Sequence, residues 1–415
     1  MSTLLDLIPL PGTTSIVVLG ALALGITAGV VGSFAVLQSR SLVGDAMAHA
    51  ALPGIAVAFI ISGTRDPATL TVGAAVAAAI AAILILALER TPRLRSDAAI
   101  GVVLAGAFST GIVLLTWITG SGRGDQGGLE TYLFGQAAGI VQADVITAFV
   151  LMACGILTVV ILHRVLRAVI FDRSFSAGAG LPARLVDGTS VLLLVLAVVI
   201  GLRMVGAILM VVMLIAPGVT ARQFVRRLAP MLVLAGALGG AIAVSGALTS
   251  AALGLPTGPV IALIGTGTAV GAVLLAPGRG VVWNARSRMA ARARLRDAEI
   301  LIALDRDTQA GATTAASLAD DVGRTRRWVD TGLRSLRRRG LVDPQLSLTD
   351  AGRRQATSAR DAVLAWTAWL EHGWRLGLPD ARDANPLDVA GSLGAEMAQQ
   401  LTRMAREDEA RAAVR

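Results

Sequence analysis

Apolar residues in this chain are gathered into long stretches that short polar connections separate. The stretches are 15–37, 43–61, 68–88, 97–118, 132–162, 186–201, 204–220, 229–250 and 257–276. Because about 20 apolar residues cross the hydrocarbon core of a bilayer as a helix, the pattern predicts a mainly α, polytopic helical membrane protein with about nine spans. Stretch 132–162 is too long for one straight crossing, and we expect a break near Gly139 or Asp144. Stretch 204–220 is short and is expected to end at Pro217-Gly218.

Composition supports a membrane protein and changes after residue 276. Hydrophobic residues make up 54% of the chain and charged residues only 16%, whereas a soluble domain carries about 25% charged residues. A single cysteine excludes a disulfide framework. We therefore divide the chain into a transmembrane domain (1–276), an Arg-rich linker (277–296), a small domain (297–357) and a helical C-terminal region (358–415).

Arginines in the short connections predict the orientation of the chain. Cytoplasmic loops are enriched in basic residues, and here the basic connections alternate with basic-poor ones. The residues that mark the predicted cytoplasmic face are Arg90, Arg93, Arg95, Arg164, Arg167, Arg173, Arg184, Arg222, Arg226, Arg227 and Arg279. Nine spans then place the N-terminus outside the cell and the C-terminal domain in the cytoplasm.

Two polar residues interrupt the second apolar stretch. Asp45 and His49 are four residues apart, so they share one face of a helix. Ionisable residues within spans are costly and mark functional positions by default. A carboxylate and an imidazole together suit a divalent cation such as manganese, zinc or ferrous iron. The alternative is a hydrogen-bonded pair that holds two helices together, and the spacing alone leaves both interpretations open.

Motifs for ATP binding and hydrolysis are missing from the chain. It contains no lysine and hence no G-x-x-x-x-G-K-[ST] phosphate-binding loop. It also contains neither H-E-x-x-H nor G-x-S-x-G, the motifs of metalloproteases and serine hydrolases. The sequence thus argues against an enzyme, and any ATP hydrolysis would belong to a partner subunit.

Four ordered motifs resemble those of the metal-ion ABC importer permeases. The first is S-L-V-G-D-A-M-A-H-A-A-L-P-G at 41–54, which contains Asp45 and His49. The second is Y-L-F-G at 132–135, and the third is F-D followed by A-G-A-G-L-P, ending at residue 182. The fourth is V-G-A-I-L at 205–209 with L-I-A-P and T-A-R after it. The resemblance covers residues 10–276.

The resemblance implies a function, a cargo and partners. Asp45 and His49 would coordinate a transported divalent cation, with manganese first and zinc or ferrous iron also suited, and no cofactor would be tightly bound. The third motif would dock a cytoplasmic ABC ATPase through Phe171, Asp172, Gly180, Leu181 and Pro182. An extracellular metal-binding protein would deliver the cation to a permease homodimer, or to a heterodimer with a sister permease, in the plasma membrane.

The C-terminal domain resembles a different family, the metal-dependent winged-helix repressors of iron and manganese. Helices are expected at 297–305, 313–322 and 325–339, followed by a two-stranded wing, and 358–408 would correspond to the repressors' helical dimerisation region. The domain has no cysteine and only one histidine, His372, so a complete two-metal sensor site is not expected. The alternative function for the whole chain is a membrane-anchored, metal-responsive transcription regulator. For the Arg-rich third helix we favour a regulatory or assembly role over nucleic-acid binding.

Overall fold

The computed structural model describes residues 12–38, 40, 42–64, 66–89, 91, 94–120, 141–307, 314–380 and 384–413. The chain divides into two units, Met1–Trp283, here the membrane unit, and Asn284–Arg415, here the C-terminal unit. Helices dominate both, and no β-strand forms among the described residues.

The membrane unit is built from ten helices within its described ranges and shares an eleventh with the C-terminal unit. These are α1 Gly12–Leu37, α2 Val43–Ser62, α3 Pro67–Leu88, α4 Ser96–Gly120, α5 Gln142–Phe171, α6 Arg173–Gly178, α7 Ala183–Val205, α8 Ala207–Phe224, α9 Leu228–Leu253, α10 Thr257–Leu275 and the shared α11 Val281–Asp307. Eight of them are long and apolar enough to cross a membrane, and α8 contains a shorter apolar segment, Leu209–Phe224. The predicted polytopic helical architecture is therefore confirmed, with eight full-length candidate spans among the described residues where we expected about nine.

Helix α1 forms the centre of the membrane unit, whereas α4 and α10 leave most of their apolar surface exposed. Small residues permit this packing, because helices in lipid associate through close contacts between backbones. A Cβ added at Gly29 would lie 2.9 Å from the carbonyl carbon of Ala235 in α9. A Cβ added at Gly218 of α8 would lie 3.2 Å from Ser33 Cα. The glycines thus bring α8 and α9 directly against α1.

One predicted boundary agrees with the structure and two differ from it. Helix α5 begins at Gln142, between the two expected positions of the break, and residues 132–140 lie outside the described residues. Asp144 lies in the first turn of α5, where its carboxylate accepts a hydrogen bond from the Val141 N–H at 3.1 Å. Helix α7 continues to Val205 and ends at Gly206, whose φ of +86° favours glycine. Helix α8 runs through Pro217 to Phe224, because membrane helices tolerate an internal proline when their neighbours stabilise the freed carbonyl.

The C-terminal unit contains two apolar cores. It takes the second part of α11, followed by α12 Ala315–Val322, α13 Arg326–Arg338, α14 Asp350–His372, α15 Val389–Leu393 and α16 Ala395–Ala413. One core joins α11, α12 and α13, and the other joins α14, α15 and α16. After α13, a single antiparallel bridge between Val342 and Leu348 occupies the position of the expected two-stranded wing.

Candidate metal and ATPase-docking sites

Asp45 and His49 lie together at the beginning of α2. Asp45 is in the first turn, where a carboxylate interacts favourably with the helix dipole. The distance from His49 Nε2 to Asp45 Oδ1 is 3.3 Å. Their side chains are 26% and 27% exposed, whereas Ala46, Met47 and Ala48 between them are fully buried. The pair therefore remains partly exposed beside the fully buried face of α2.

The separation of the two side chains suits a shared cation. With metal–ligand bonds of about 2.1 Å, a 3.3 Å gap between the ligand atoms corresponds to an angle of about 100° at the metal. His49 Nδ1 is buried, and no described residue forms a hydrogen bond with it. No group of three or more His, Cys, Asp or Glu residues that could hold a metal occurs in the described part of the chain. Asp45 and His49 are thus two candidate ligands, fewer than a bound cation requires.

Helix α4 positions the ring of His49, a contact that the sequence did not predict. The rings of Phe108 and His49 meet edge to face, with centroids 4.9 Å apart and planes 78° apart. One turn later, Gly111 lets α4 approach α2 closely, since a Cβ there would lie 2.9 Å from Leu52 Cβ and 3.1 Å from Pro53 Cδ. Pro53 also has no N–H to donate to the carbonyl of His49 within the helix. Phe108, Gly111 and Pro53 therefore shape the surroundings of the pair.

A mostly buried ion pair lies just before α2 and was also missed by the sequence analysis. Arg40 Nη2 is 2.6 Å from Glu89 Oε2, and the two side chains are 17% and 9% exposed. The hydroxyl of Ser96, at the start of α4, donates a hydrogen bond to the other carboxylate oxygen of Glu89. These contacts join the α1–α2 connection to the α3–α4 connection. They hold the N-terminal end of the helix that carries Asp45.

The predicted docking residues fall in one exposed connection between α5 and α7. Phe171 and Asp172 precede the short helix α6, and Gly180, Leu181 and Pro182 follow it. Gly180 has a φ of +71°, which ends the helix and turns the chain. The N–H of Leu181 donates a hydrogen bond to the carbonyl of Ser176 at 2.9 Å. The motif is therefore a compact helical turn.

Asp172 stabilises the start of that turn. Its Oδ1 accepts hydrogen bonds from the N–H of Phe175 and from the hydroxyl of Ser174, both at 2.8 Å. These bonds lower the pKa of the exposed Asp172 carboxyl below its ordinary value of 3.8, the bond from Phe175 having the larger effect. The Phe175 ring, 67% exposed, presents an apolar surface that the motif comparison did not single out. The sequence feature that could have identified Phe175 is an aromatic residue within a connection that contains arginine and serine.

Comparison with known proteins assigns the membrane unit to a family. Residues 13–276 match the ABC 3 transport family. The chain belongs to this family. It is accordingly a multi-pass membrane protein and a transport subunit. The Y-L-F-G motif at 132–135 lies within the match but outside the residues that the structure describes.

Individual relatives are similar over the same region. The manganese transport system membrane protein MntC of Bacillus subtilis (strain 168) is 40% identical over 292 residues, 70% of this chain and 67% of that protein. The zinc transport system membrane protein TroC of Treponema pallidum (strain Nichols) is 41% identical over 269 residues, 65% of this chain and 90% of that protein. The structure of PsaBC from Streptococcus pneumoniae in complex with Fab matches with 28% identity and a TM-score of 0.57, covering 67% of this chain and 97% of that chain.

Proposed function

We propose that this chain is the permease subunit of an ATP-driven importer of divalent metal cations, with manganese as the first candidate and zinc or ferrous iron as the others. The observation that carries the proposal is the Asp45–His49 pair, whose ligand atoms lie 3.3 Å apart at the start of an apolar span. Relatives named for manganese and zinc transport support a cargo of this class. Oxygen and nitrogen ligands suit all of these metals, so the pair does not select one.

The cation pathway would lie between two permease subunits. A single protomer brings together two candidate ligands, and both side chains remain about one quarter exposed although Phe108 of α4 packs against His49. A second protomer, identical or a sister permease, would bring a corresponding pair opposite the first, and water would complete the coordination. The likeness to PsaBC supports such an assembly. An extracellular binding protein would deliver the cation to this pathway.

The connection between α5 and α7 would dock the ATPase. A rigid, capped turn that presents Phe171 and Phe175 to solvent can transmit a movement of a bound partner to the two helices that flank it. Arg164 and Arg167 near the end of α5 support a cytoplasmic location for this turn. The same rule supports a plasma-membrane protein whose C-terminal unit is cytoplasmic.

The second candidate function is a membrane-anchored, metal-responsive regulator, and the helix-turn-helix arrangement of α12 and α13 favours it. Gly323, with a φ of +66°, ends α12 before the turn. Exposed arginines on α13 include Arg326, Arg327 and Arg334, as on a recognition helix. A helix-turn-helix fold does not by itself imply DNA binding. For this unit we propose a winged-helix-like domain that regulates or assembles the transporter.

Uptake by proteoliposomes that contain the permease, its ATPase and its binding protein tests the proposal. Asp45→Ala and His49→Ala should each lower ATP-driven manganese uptake by more than about tenfold, since even residues that only support metal ligands contribute that much. Asp97→Ala and His163→Ala, which remove the same residue types elsewhere in the spans, should transport normally. Uptake that survives in both Asp45 and His49 variants would refute the pathway. Absent flux in the wild type together with sequence-specific DNA binding would favour the regulator.

A further inference from the structure

The beginning of α11 is an exposed helix that directly follows the last span. Residues 281–292 are all exposed, although Val281, Val282, Trp283 and Met289 are large and apolar. A helical stretch of more than three turns that exposes large apolar side chains is a candidate interaction surface.

The first turn of α11 has the character of a membrane–water boundary. Trp283 is 54% exposed, next to the exposed Val281 and Val282, and α10 ends shortly before at Leu275. Tryptophan is enriched where a membrane meets water, because its ring is apolar and its N–H is polar. Arg279 donates a hydrogen bond to the carbonyl of Arg222 at 2.9 Å, which ties the chain before α11 to the end of α8. The helix therefore begins next to the ends of two membrane helices.

The following turns carry only positive charge. Arg286, Arg288, Arg292 and Arg294 are exposed, and none of them forms an ion pair with another described residue. No acidic residue occurs between Arg279 and Arg296. Clusters of basic residues immediately beyond a span on the cytoplasmic side are typical of binding to anionic lipids. Arginine is well suited to this role, because its guanidinium forms paired hydrogen bonds with phosphate oxygens.

We propose that residues 281–294, here the basic segment, are a binding surface for anionic phospholipid headgroups. The apolar first turn enters the headgroup region, and the arginines after it contact the phosphates. A nucleic acid or an acidic protein would account for the arginines but not for Val281, Val282 and Trp283, which require an apolar surface beside an anionic one. This surface lies outside the cation pathway and does not rest on the proposed transport, but it rests on the cytoplasmic location proposed above for the C-terminal unit.

The test uses the full chain in nanodiscs, with a fluorescent label at Ser287→Cys in a Cys154→Ser background. Ser287 lies between two of the arginines, and Cys154, the only native cysteine, is exposed and must be removed. A quencher attached to the lipid headgroup should quench the label at least about two-fold more in membranes with about 30% phosphatidylglycerol than in pure phosphatidylcholine. The difference should disappear at about 1 M salt, where the Debye length is about 3 Å.

Two sets of substitutions, each removing four positive charges, distinguish lipid binding by the basic segment from a general attraction between the positively charged protein and the anionic membrane. Changing Arg286, Arg288, Arg292 and Arg294 together to Gln should reduce quenching to the phosphatidylcholine level. Four exposed arginines elsewhere in the C-terminal unit serve as the control, and changing them together to Gln should leave the quenching unchanged. They are Arg353, Arg354, Arg360 and Arg403. Equal quenching in both lipids, or an unaffected first variant, would overturn the proposal. Protection of the label that requires the ATPase and ignores the lipid would show a protein interface instead.

Discussion

An ion pair in the membrane unit and one in the C-terminal unit have similar lengths but different surroundings. Arg40 and Glu89 are 2.6 Å apart with side chains 17% and 9% exposed, whereas Arg353 and Asp350 are 3.0 Å apart with side chains 61% and 83% exposed. Solvent screens the second pair, while the first has little water to replace a lost partner. A buried charge, such as Glu89 in the membrane unit, therefore indicates a specific contact, whereas an exposed charge, such as Asp350 in the C-terminal unit, indicates little by itself.

The largest expected effect comes from breaking the buried pair. Glu89→Ala leaves the Arg40 guanidinium mostly buried without its carboxylate, and we expect a loss of about 3 to 5 kcal/mol in the free energy of unfolding. Asp350→Ala should cost less than about 1 kcal/mol, because its pair is exposed. Thermal unfolding of the two purified variants measures the difference. Similar losses of unfolding free energy in the two variants would show that burial does not determine how much each ion pair contributes to stability.

A smaller effect is expected where α4 approaches the cation pair. Gly111→Ala places a methyl group 2.9 Å from Leu52 Cβ, so α4 or α2 must shift, at a cost of about 1 to 3 kcal/mol. Gly106→Ala on the same helix meets no atom within 4 Å and should be neutral or slightly stabilising. Cation uptake, measured beside stability, should fall only in the first variant, because Phe108 would move away from His49. Normal uptake by Gly111→Ala would show that transport does not depend on the positioning of His49 by α4.

The docking turn should respond to pH through Asp172. Its carboxyl has a lowered pKa in the folded turn, so the stability it contributes is complete above the ordinary pKa of 3.8. That contribution is lost as the pH falls through the lower, folded-state pKa. Asp172→Asn should loosen the turn at neutral pH and weaken the coupling of ATP hydrolysis to uptake.

Phe175→Ala supplies the matched comparison for this prediction. It keeps the cap but removes the exposed ring, so it should weaken ATPase binding without loosening the turn. Amide hydrogen exchange across residues 172–182 and co-purification with the ATPase separate the two effects. Unchanged ATPase binding in both variants would mean that the subunit docks elsewhere.

The smallest effect on the membrane unit is expected from removing the C-terminal unit. A chain that ends after Trp283 keeps all candidate spans, the Asp45–His49 pair and the docking turn. It should insert and transport, with changes in regulation or assembly. Uptake per inserted protein measures this, and complete loss of flux from a well-folded truncated protein would show that the C-terminal unit takes part in transport itself.

The sequence predicted the local features of the membrane unit well, because they depend on neighbouring residues. Apolar stretches located the helices, and the four-residue spacing of Asp45 and His49 placed the two side chains together. The break between α7 and α8 lies at Gly206 and not between the predicted stretches 186–201 and 204–220, because the positive φ of +86° at the break favours glycine. Pro217 did not end α8, because packing against α1 overrides the local preference of proline.

Contacts between distant parts of the chain could not be predicted. The Phe108–His49 and Arg40–Glu89 contacts join different helices, and no spacing along the chain encodes them. In the C-terminal unit the expected helices α12 and α13 form, but the expected two-stranded wing does not, and only an isolated bridge joins Val342 and Leu348. The short segment between those residues includes Pro344, which cannot donate a hydrogen bond to a neighbouring strand.

The central claim is that Asp45 and His49 bind the transported cation, and pulsed electron paramagnetic resonance of bound Mn²⁺ tests it directly. The purified permease dimer, loaded with Mn²⁺, should show coupling of the metal electrons to an imidazole nitrogen. His49→Ala should abolish this coupling, and His163→Ala should leave it intact, since His163 lies in α5 among apolar residues. A nitrogen signal that persists in His49→Ala would contradict the account.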